Sequence, residues 1–378
     1  MDTFRFYIVI LTVLLGVGAC KQKNREIAIG QHSHATETPE PDYAADINKV
    51  DLGDVPFRHL SEYGFFDKYM RELNPKRNVV PYAPSSALFS DYAYKARFIW
   101  MPENAASRLV PGDMEGKLEF PDNTVLIKNF YYPEDFRKPD GKRKILETRL
   151  IIKRNGLWEA FPYIWNEDQT DATYKVVGAE MEVKWTDKTG RERIIKYIVP
   201  NKNQCKSCHN ENEKLVPIGL KAKYLDHALD YGNGPVNQLS KWQELGILDI
   251  GEEEKLQFAP VVDYEDEGQL LHNRARAYLD INCAPCHREE GPAGTSGLFL
   301  NYEEKDANKL GVFKTPVAAG FGAGPHKFSI FPGKADESIM VYRMASTEVG
   351  VAMPEIGRST VHVEGLELIK EWINSLQP

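Results

Sequence analysis

Four cysteines stand in two identical arrangements, Cys205-Lys206-Ser207-Cys208-His209 and Cys283-Ala284-Pro285-Cys286-His287. Two thiols three positions apart on one helical turn reach the two vinyl groups of a single haem. The His that follows projects its imidazole onto the iron. The spacing predicts two covalently bound c-type haems, attached at Cys205 and Cys208 and at Cys283 and Cys286, with His209 and His287 as iron ligands. Other chemistries use the same residue types. A zinc ribbon pairs two C-x-x-C units, but typically across a shorter gap than the 74 residues between Cys208 and Cys283. A thioredoxin-like site wants one C-x-x-C in a βαβ setting, and no such alternation surrounds either pair. Structural disulfides would leave the following His unexplained in both cases.

The fifth cysteine, Cys20, closes an N-terminal signal. Arg5 precedes an apolar run over 6–17, and Val17-Gly18-Ala19-Cys20 resembles the bacterial lipobox. The run is too short to span a bilayer and reads as an export signal. The resemblance implies cleavage before Cys20 and lipidation of its thiol. The cysteines are then fully assigned, one to lipid and four to two haems. Residues from 21 to about 46 are polar, contain Pro39 and Pro41 and lack a hydrophobic period, as a flexible tether would. The chain has 378 residues, a hydrophobic fraction of 42% and a net charge of -8. That composition is globular, and its acidic balance argues against nucleic acid as a partner. No mature transmembrane helix is expected.

The positioning elements follow from periodicity. The expected plan is a signal over 1–19, a tether over 20–50, a mainly β domain over 51–200, a first haem segment over 201–262 and a second haem domain over 263–378. Segments 97–101, 124–132, 144–153, 157–165, 174–185 and 191–199 are rich in β-branched and aromatic residues. Asn155-Gly156 is a strong hairpin signal, and Asp187-Lys188-Thr189-Gly190 marks another turn. Antiparallel strands without crossover helices predict a sandwich-like or barrel-like domain. Glu252–Glu254 and Asp263–Glu267 read as a solvated linker. A helix over about 269–281 runs into Cys283. A second, over about 364–376, carries Leu366, Ile369, Ile373 and Leu376 on one face.

With that plan, residues 268–378 resemble an all-α class I cytochrome c domain. The resemblance implies His287 as proximal ligand and a late-loop Met as distal ligand. Met353, in Val351-Ala352-Met353-Pro354-Glu355, lies 66 positions after His287. Met340 and Met344 compete with it, but their helical setting suits core filling. Residues 55–378 as a whole resemble a family of bacterial envelope diheme c-type cytochromes. The matching phrases are Leu88-Phe89-Ser90-Asp91-Tyr92, the stretch from Tyr163 to Ala172, the two motifs with their flanks, and the stretch from Arg343 to Gly357 with Met353. For the sixth ligand of the first haem three options stand: His227, a Met of the β region (Met101, Met114 or Met181), or no protein ligand. His272 reads as helix surface. The Gly-rich loop 318–324 reads as a turn, and His326, Lys327 and Arg358 are minor candidates for haem propionates.

The expected function is single-electron transfer between redox partners of the bacterial envelope, by a lipid-anchored protein facing the periplasm, with the outer membrane favoured. The alternatives are a peroxidase-like enzyme with an open site on the first haem, and a redox subunit of an envelope complex.

Overall fold

The computed structural model describes residues 47–251, 257–317 and 319–377, all within one compact unit spanning Ser33–Pro378. The expected signal, Cys20, most of the tether and Glu252–Glu254 lie outside the described residues. Among those described, no helix is long and apolar enough to cross a membrane.

The strands are β1 (Val79–Pro81), β2 (Tyr94–Trp100), β3 (Ser107–Leu109), β4 (Leu118–Glu119), β5 (Val125–Pro133), β6 (Arg143–Arg154), β7 (Leu157–Trp165), β8 (Ala172–Tyr174), β9 (Ala179–Thr186), β10 (Glu192–Val199), β11 (Asn210–Glu211), β12 (Lys214–Leu215), β13 (Ala228–Asp230), β14 (Pro235–Asn237) and β15 (Leu248–Asp249). A six-stranded antiparallel sheet in the order β1-β2-β5-β6-β7-β8 dominates. Asn155 and Gly156 both take positive φ, the mirror-image turn that matches strand twist, and join β6 to β7. The expected strand over 174–185 is two strands, broken at Gly178. Its φ is +72°, and a Cβ there would stand 2.3 Å from Val199 O.

One face of the sheet is an apolar core. Phe98, Trp100, Ile127, Leu150, Phe161 and Tyr163 pack under Leu60, Tyr63, Phe65, Phe66, Met70 and Leu73. A second sheet does not cover this face; an aromatic-rich N-terminal segment does, so the expected sandwich is not formed. The opposite face is apolar only at its ends. Ile99 and Leu126 join one cluster with Trp242 and Leu248. Phe130 and Tyr132 join another with Val183, Trp185 and Tyr197. Between them lie Lys95, Arg97, Lys128, Glu147 and Arg149.

The helices are α1 (Lys202–Cys208), α2 (Ala222–Leu225), α3 (Gln238–Glu244), α4 (Leu271–Asn282), α5 (Ile339–Met344) and α6 (Val363–Ser375). The expectation of an all-α class I cytochrome c domain at the C-terminus is overturned. Among the described residues of 283–338 there is no α-helix, only 3-10 turns of three or four residues and isolated bridges such as Val312↔Ile330. Gly291, Pro292, Gly294, Gly297, Gly311, Pro316 and the Gly320–Pro325 stretch remove helical propensity there. The core of this part also recruits Tyr224, Val261 and Tyr264, with Leu88 and Ile218 packed against it. The two expected helices do form. α4 and α6 touch at Gly365, where a Cβ would stand 2.3 Å from the Tyr278 ring.

One ionic node ties distant segments together. The fully buried ammonium of Lys223 in α2 lies 3.1 Å from Asp280 of α4, 2.9 Å from Glu303 and 3.4 Å from Glu115. Asp280 also accepts from Tyr302 N at 2.8 Å and from the Tyr224 hydroxyl. Burial opposes ionisation of Glu115, but Lys221 and Lys223 outweigh it and hold the carboxyl down at about 2. Removing one partner of such a network leaves uncompensated buried charge. Lys223→Ala should therefore cost about 3–5 kcal/mol in urea unfolding. Because the folded Glu115 pKa lies below its ordinary 4.5, its stabilising share is complete above that pH and is lost as pH falls toward 2. Acid titration of Glu115→Gln should show that part of the transition flattened.

Candidate haem sites

α1 starts directly after the last strand of the β9–β10 hairpin. Gln204 N donates to Asn201 Oδ1 and Asn201 N to Gln204 Oε1, both at 2.9 Å, a reciprocal cap that fixes the helix start. Cys205 and Cys208 lie one turn apart, and His209 N donates to Cys205 O at 3.0 Å. The β11–β12 hairpin returns the chain so that Val216 O sits 2.8 Å from His209 Nδ1. Burial and the charges of Lys128 and Arg149 push the His209 imidazole down to about 4. At neutral pH the ring is uncharged, its proton sits on Nδ1 toward Val216, and Nε2 keeps its lone pair. This is the tautomer that an iron ligand requires.

The second motif repeats the geometry from a different approach. α4 ends at Asn282, and Cys283 N donates to Leu279 O at 2.9 Å. His287 N donates to Cys283 O at 2.9 Å, as His209 N does to Cys205 O. His287 Nδ1 lies 3.5 Å from Ser296 Oγ. Burial and Arg343 push this imidazole down to about 4 as well.

The fold brings the two motifs together across the 74 intervening residues. The Cys208 and Cys286 thiols lie close enough to perturb each other's ionisation. Cys286 Sγ lies 3.9 Å from Ser207 O. Around them Arg288 pairs with Glu211 at 3.1 Å, Lys117 with Glu211 at 2.6 Å, and Asn212 N donates to Glu290 O at 3.1 Å.

The donor set fits two c-type haems better than one metal ion. Among the described residues, the group of three or more His, Cys, Asp or Glu that converges tightly enough for a metal is Glu115, Asp280 and Glu303, whose centre Lys223 already neutralises. The four thiols do not gather. Burial raises the Cys205 thiol and pushes Cys283 up to about 12, whereas the neighbouring Cys208 lowers Cys286. Arg288 Nε, next in sequence to His287, is buried without a hydrogen-bond partner.

Met353 is half-buried in a loop laced to the second motif's surroundings. Met353 N donates to Arg343 O at 3.1 Å, Arg343 Nε to Val351 O at 3.0 Å, and Arg358 Nη2 to Met353 O at 3.0 Å. The charge of Arg343 reaches His287, and that of Arg358 reaches Cys283. Asp91 secures the far side of the loop, accepting from Ser359 N at 2.7 Å and Thr360 N at 3.0 Å. Met344 is buried in the apolar core, and Met340 packs against it.

The other candidates stand elsewhere. His227 has both ring nitrogens engaged, Nε2 at 2.9 Å from Ala83 O and Nδ1 at 3.0 Å from Ala228 O. Met101 is buried with Val80 and Ile99, Met114 is exposed, and Met181 packs beside Val183 on β9. His272 accepts from Trp372 Nε1 at 3.2 Å on the α4 surface. His326 packs against the Tyr342 ring. Sequence reasoning missed Asp91, Arg343 and the charged residues of the sheet. For the sheet residues the signal was charge at strand positions where alternation points inward; Asp91 lies in a turn and Arg343 in α5, where no such alternation applies.

His227→Ala should leave the visible spectrum of a haem held at Cys205 and Cys208 unchanged and lower stability by about 1 kcal/mol, the worth of its lost hydrogen bonding. Parallel visible spectra and thermal melts check this. No protein-family model, curated protein or solved structure matches the chain.

Proposed function

We propose that this chain is a diheme c-type cytochrome of the bacterial envelope that passes single electrons between redox partners. The observation that carries the reading is the contact between Cys208 and Cys286. Each is the second thiol of its motif, so the thioether-bearing edges of the two haems would face each other. Such a pair serves transfer between the two sites directly. When bound, the haems supply one-electron ferric/ferrous chemistry.

The chain's own residues set the terms. His209 and His287 present neutral Nε2 atoms, fixed through their Nδ1 sides. The partial burial of both motifs would limit water at bound irons, a lever on potential. Met353 is the sixth ligand we assign to the second haem, held by Arg343, Arg358 and Asp91. A thioether favours ferrous iron, so this haem takes the higher potential. The lipobox at Cys20 supports an envelope lipoprotein. The engagement of His227 and the scatter of Met101, Met114 and Met181 favour a second reading, a peroxidase-like enzyme with an open sixth position on the first haem.

Purified protein should carry two haems retained after acid-acetone extraction, and Cys205→Ser/Cys208→Ser should retain one. Mass spectrometry finding no covalent haem, or zinc in its place, would sink the reading. Two low-spin ferric signals in EPR favour transfer, and one high-spin signal favours the enzyme. In a redox titration, Met353→Ala should lower the higher midpoint potential and leave the lower one nearly unchanged. A higher midpoint that stays put would remove Met353 as ligand.

A further inference from the structure

The middle of the sheet's second face is built against electrostatic expectation. Arg97, Lys128 and Arg149 stand directly opposite one another on β2, β5 and β6. Lys95 is one step along β2, on the same face, opposite Phe130. Like charges in directly opposed positions destabilise a sheet, and the half-burial of Arg97, Lys128 and Arg149 limits the water that would soften them. Arg149 is answered by Glu147, which receives its Nε at 2.8 Å and Nη2 at 2.5 Å. The same carboxylate accepts from the Tyr197 hydroxyl at 2.7 Å, so its one charge is committed.

The other three cations have no such answer. Among the described residues, neither Lys95, Arg97 nor Lys128 has a carboxylate within ion-pair distance. Lys95 Nζ donates to Ala93 O at 2.9 Å, and Arg97 Nη1 lies 3.5 Å from Lys95 O. Lys128 Nζ has only the face of Phe130, 5.0 Å from its centroid. Lys95 is 8% exposed. The row also lies close to the first motif. The charges of Lys128 and Arg149 both act on the His209 ring, and Arg149 acts on the Cys205 thiol.

We propose that Arg97 and Lys128, with Lys95 beside them, bind the propionate carboxylates of the haem attached at Cys205 and Cys208. Two carboxylates supply two negative charges to three unmatched positive ones. A charge-assisted hydrogen bond to a guanidinium or ammonium is the strong kind, and Arg97 can offer its fork to a carboxylate. A covalently held cofactor suits this role better than a small diffusing anion. The row would be uncompensated each time such an anion left, whereas a tethered haem supplies its carboxylates permanently. Without a counter-anion, burial and the neighbouring cations pull both lysine amines well below the usual range, the mark of a charge awaiting a partner.

The assignment rests on the haem reading of the first motif, and the experiment separates the two. Lys128→Met, Arg97→Met and the conservative Lys128→Arg are purified as full-length, two-haem proteins. Loss of a cation favours ferric iron, so both Met variants should shift the first haem's midpoint downward. The Met353-ligated haem should shift less, Lys128→Arg should restore most of the change, and the spin state should not alter. An unchanged first-haem midpoint in both Met variants overturns the proposal. So does conversion of that haem from low to high spin in Lys128→Met, which would make the amine an iron ligand. Absence of haem at Cys205 and Cys208 overturns the underlying reading instead. The wild-type protein gives an independent measurement if the variants fail to fold. Its resonance Raman propionate bending bands should report strongly hydrogen-bonded carboxylates on one haem, and bands typical of solvated carboxylates on both overturn the proposal.

Discussion

The ammonium of Lys223 is the constraint on which the arrangement of the two motifs depends. It is fully buried, and its three carboxylate partners come from Glu115 before the main sheet's central strands, Asp280 in the last turns of α4 and Glu303 after the second motif. A charge taken out of water holds its partners within a narrow geometry, because any displacement exposes desolvated charge with no compensation. Asp280 is three residues ahead of Cys283. Glu115 belongs to the turn that contacts α2 through Gly116, and Ala222 N donates to Gly116 O at 2.7 Å. Through these contacts the approach of α4 to the sheet side of the molecule is fixed before either motif is considered. The contact of Cys208 with Cys286 follows from that approach, reinforced by Arg288 and Glu211.

The two motifs solve the same chemical problem by different local means. α1 begins with a reciprocal Asn201–Gln204 cap and is followed by a tight hairpin that supplies Val216 O to His209. The second motif ends a longer helix and is followed by Gly-rich loop with Ser296 near His287. In both, the first cysteine's carbonyl receives the histidine N–H, so the pentad is a shared local unit. What differs is the wall opposite. The first motif faces a sheet with a row of half-buried cations, and the second faces a loop carrying a thioether. Haems held at the two motifs would differ in potential and in access because of those walls.

Much of this was legible in the chain, and the failures have physical causes. The strands from 124 to 165 lie within a residue or two of where alternation placed them, because β5, β6 and β7 pair as sequential antiparallel neighbours. The Asn155-Gly156 turn followed from backbone conformation alone. The helices α4 and α6 were legible because each has one apolar face. The sandwich and the all-α C-terminal domain failed for a common reason: both assume that a segment closes its own core. Here Leu60, Tyr63 and Phe65 close the sheet, and Tyr224, Val261 and Tyr264 complete the C-terminal cluster. Periodicity marks which face is apolar but not what covers it. The pentads fix which atoms could meet a haem, while the company of Cys208 and Cys286 is set by long-range packing that spacing does not record.

Asp91 carries a consequence for the order of assembly. This buried carboxylate, at a residue with φ of +51°, grips Ser359 and Thr360 from 268 and 269 positions away in sequence. Phe89 stacks on His362 at 4.2 Å in the same region. The pentad at Cys283 is a local structure that a partly folded chain can present for haem attachment. The loop bearing Met353 is not, since its far anchor belongs to the segment leading into β2. Closing a contact of such sequence separation is entropically late. On the proposed haem reading, maturation of the second site would divide into an early covalent stage, independent of the sheet, and a late ligation stage that waits for the N-terminal half to fold.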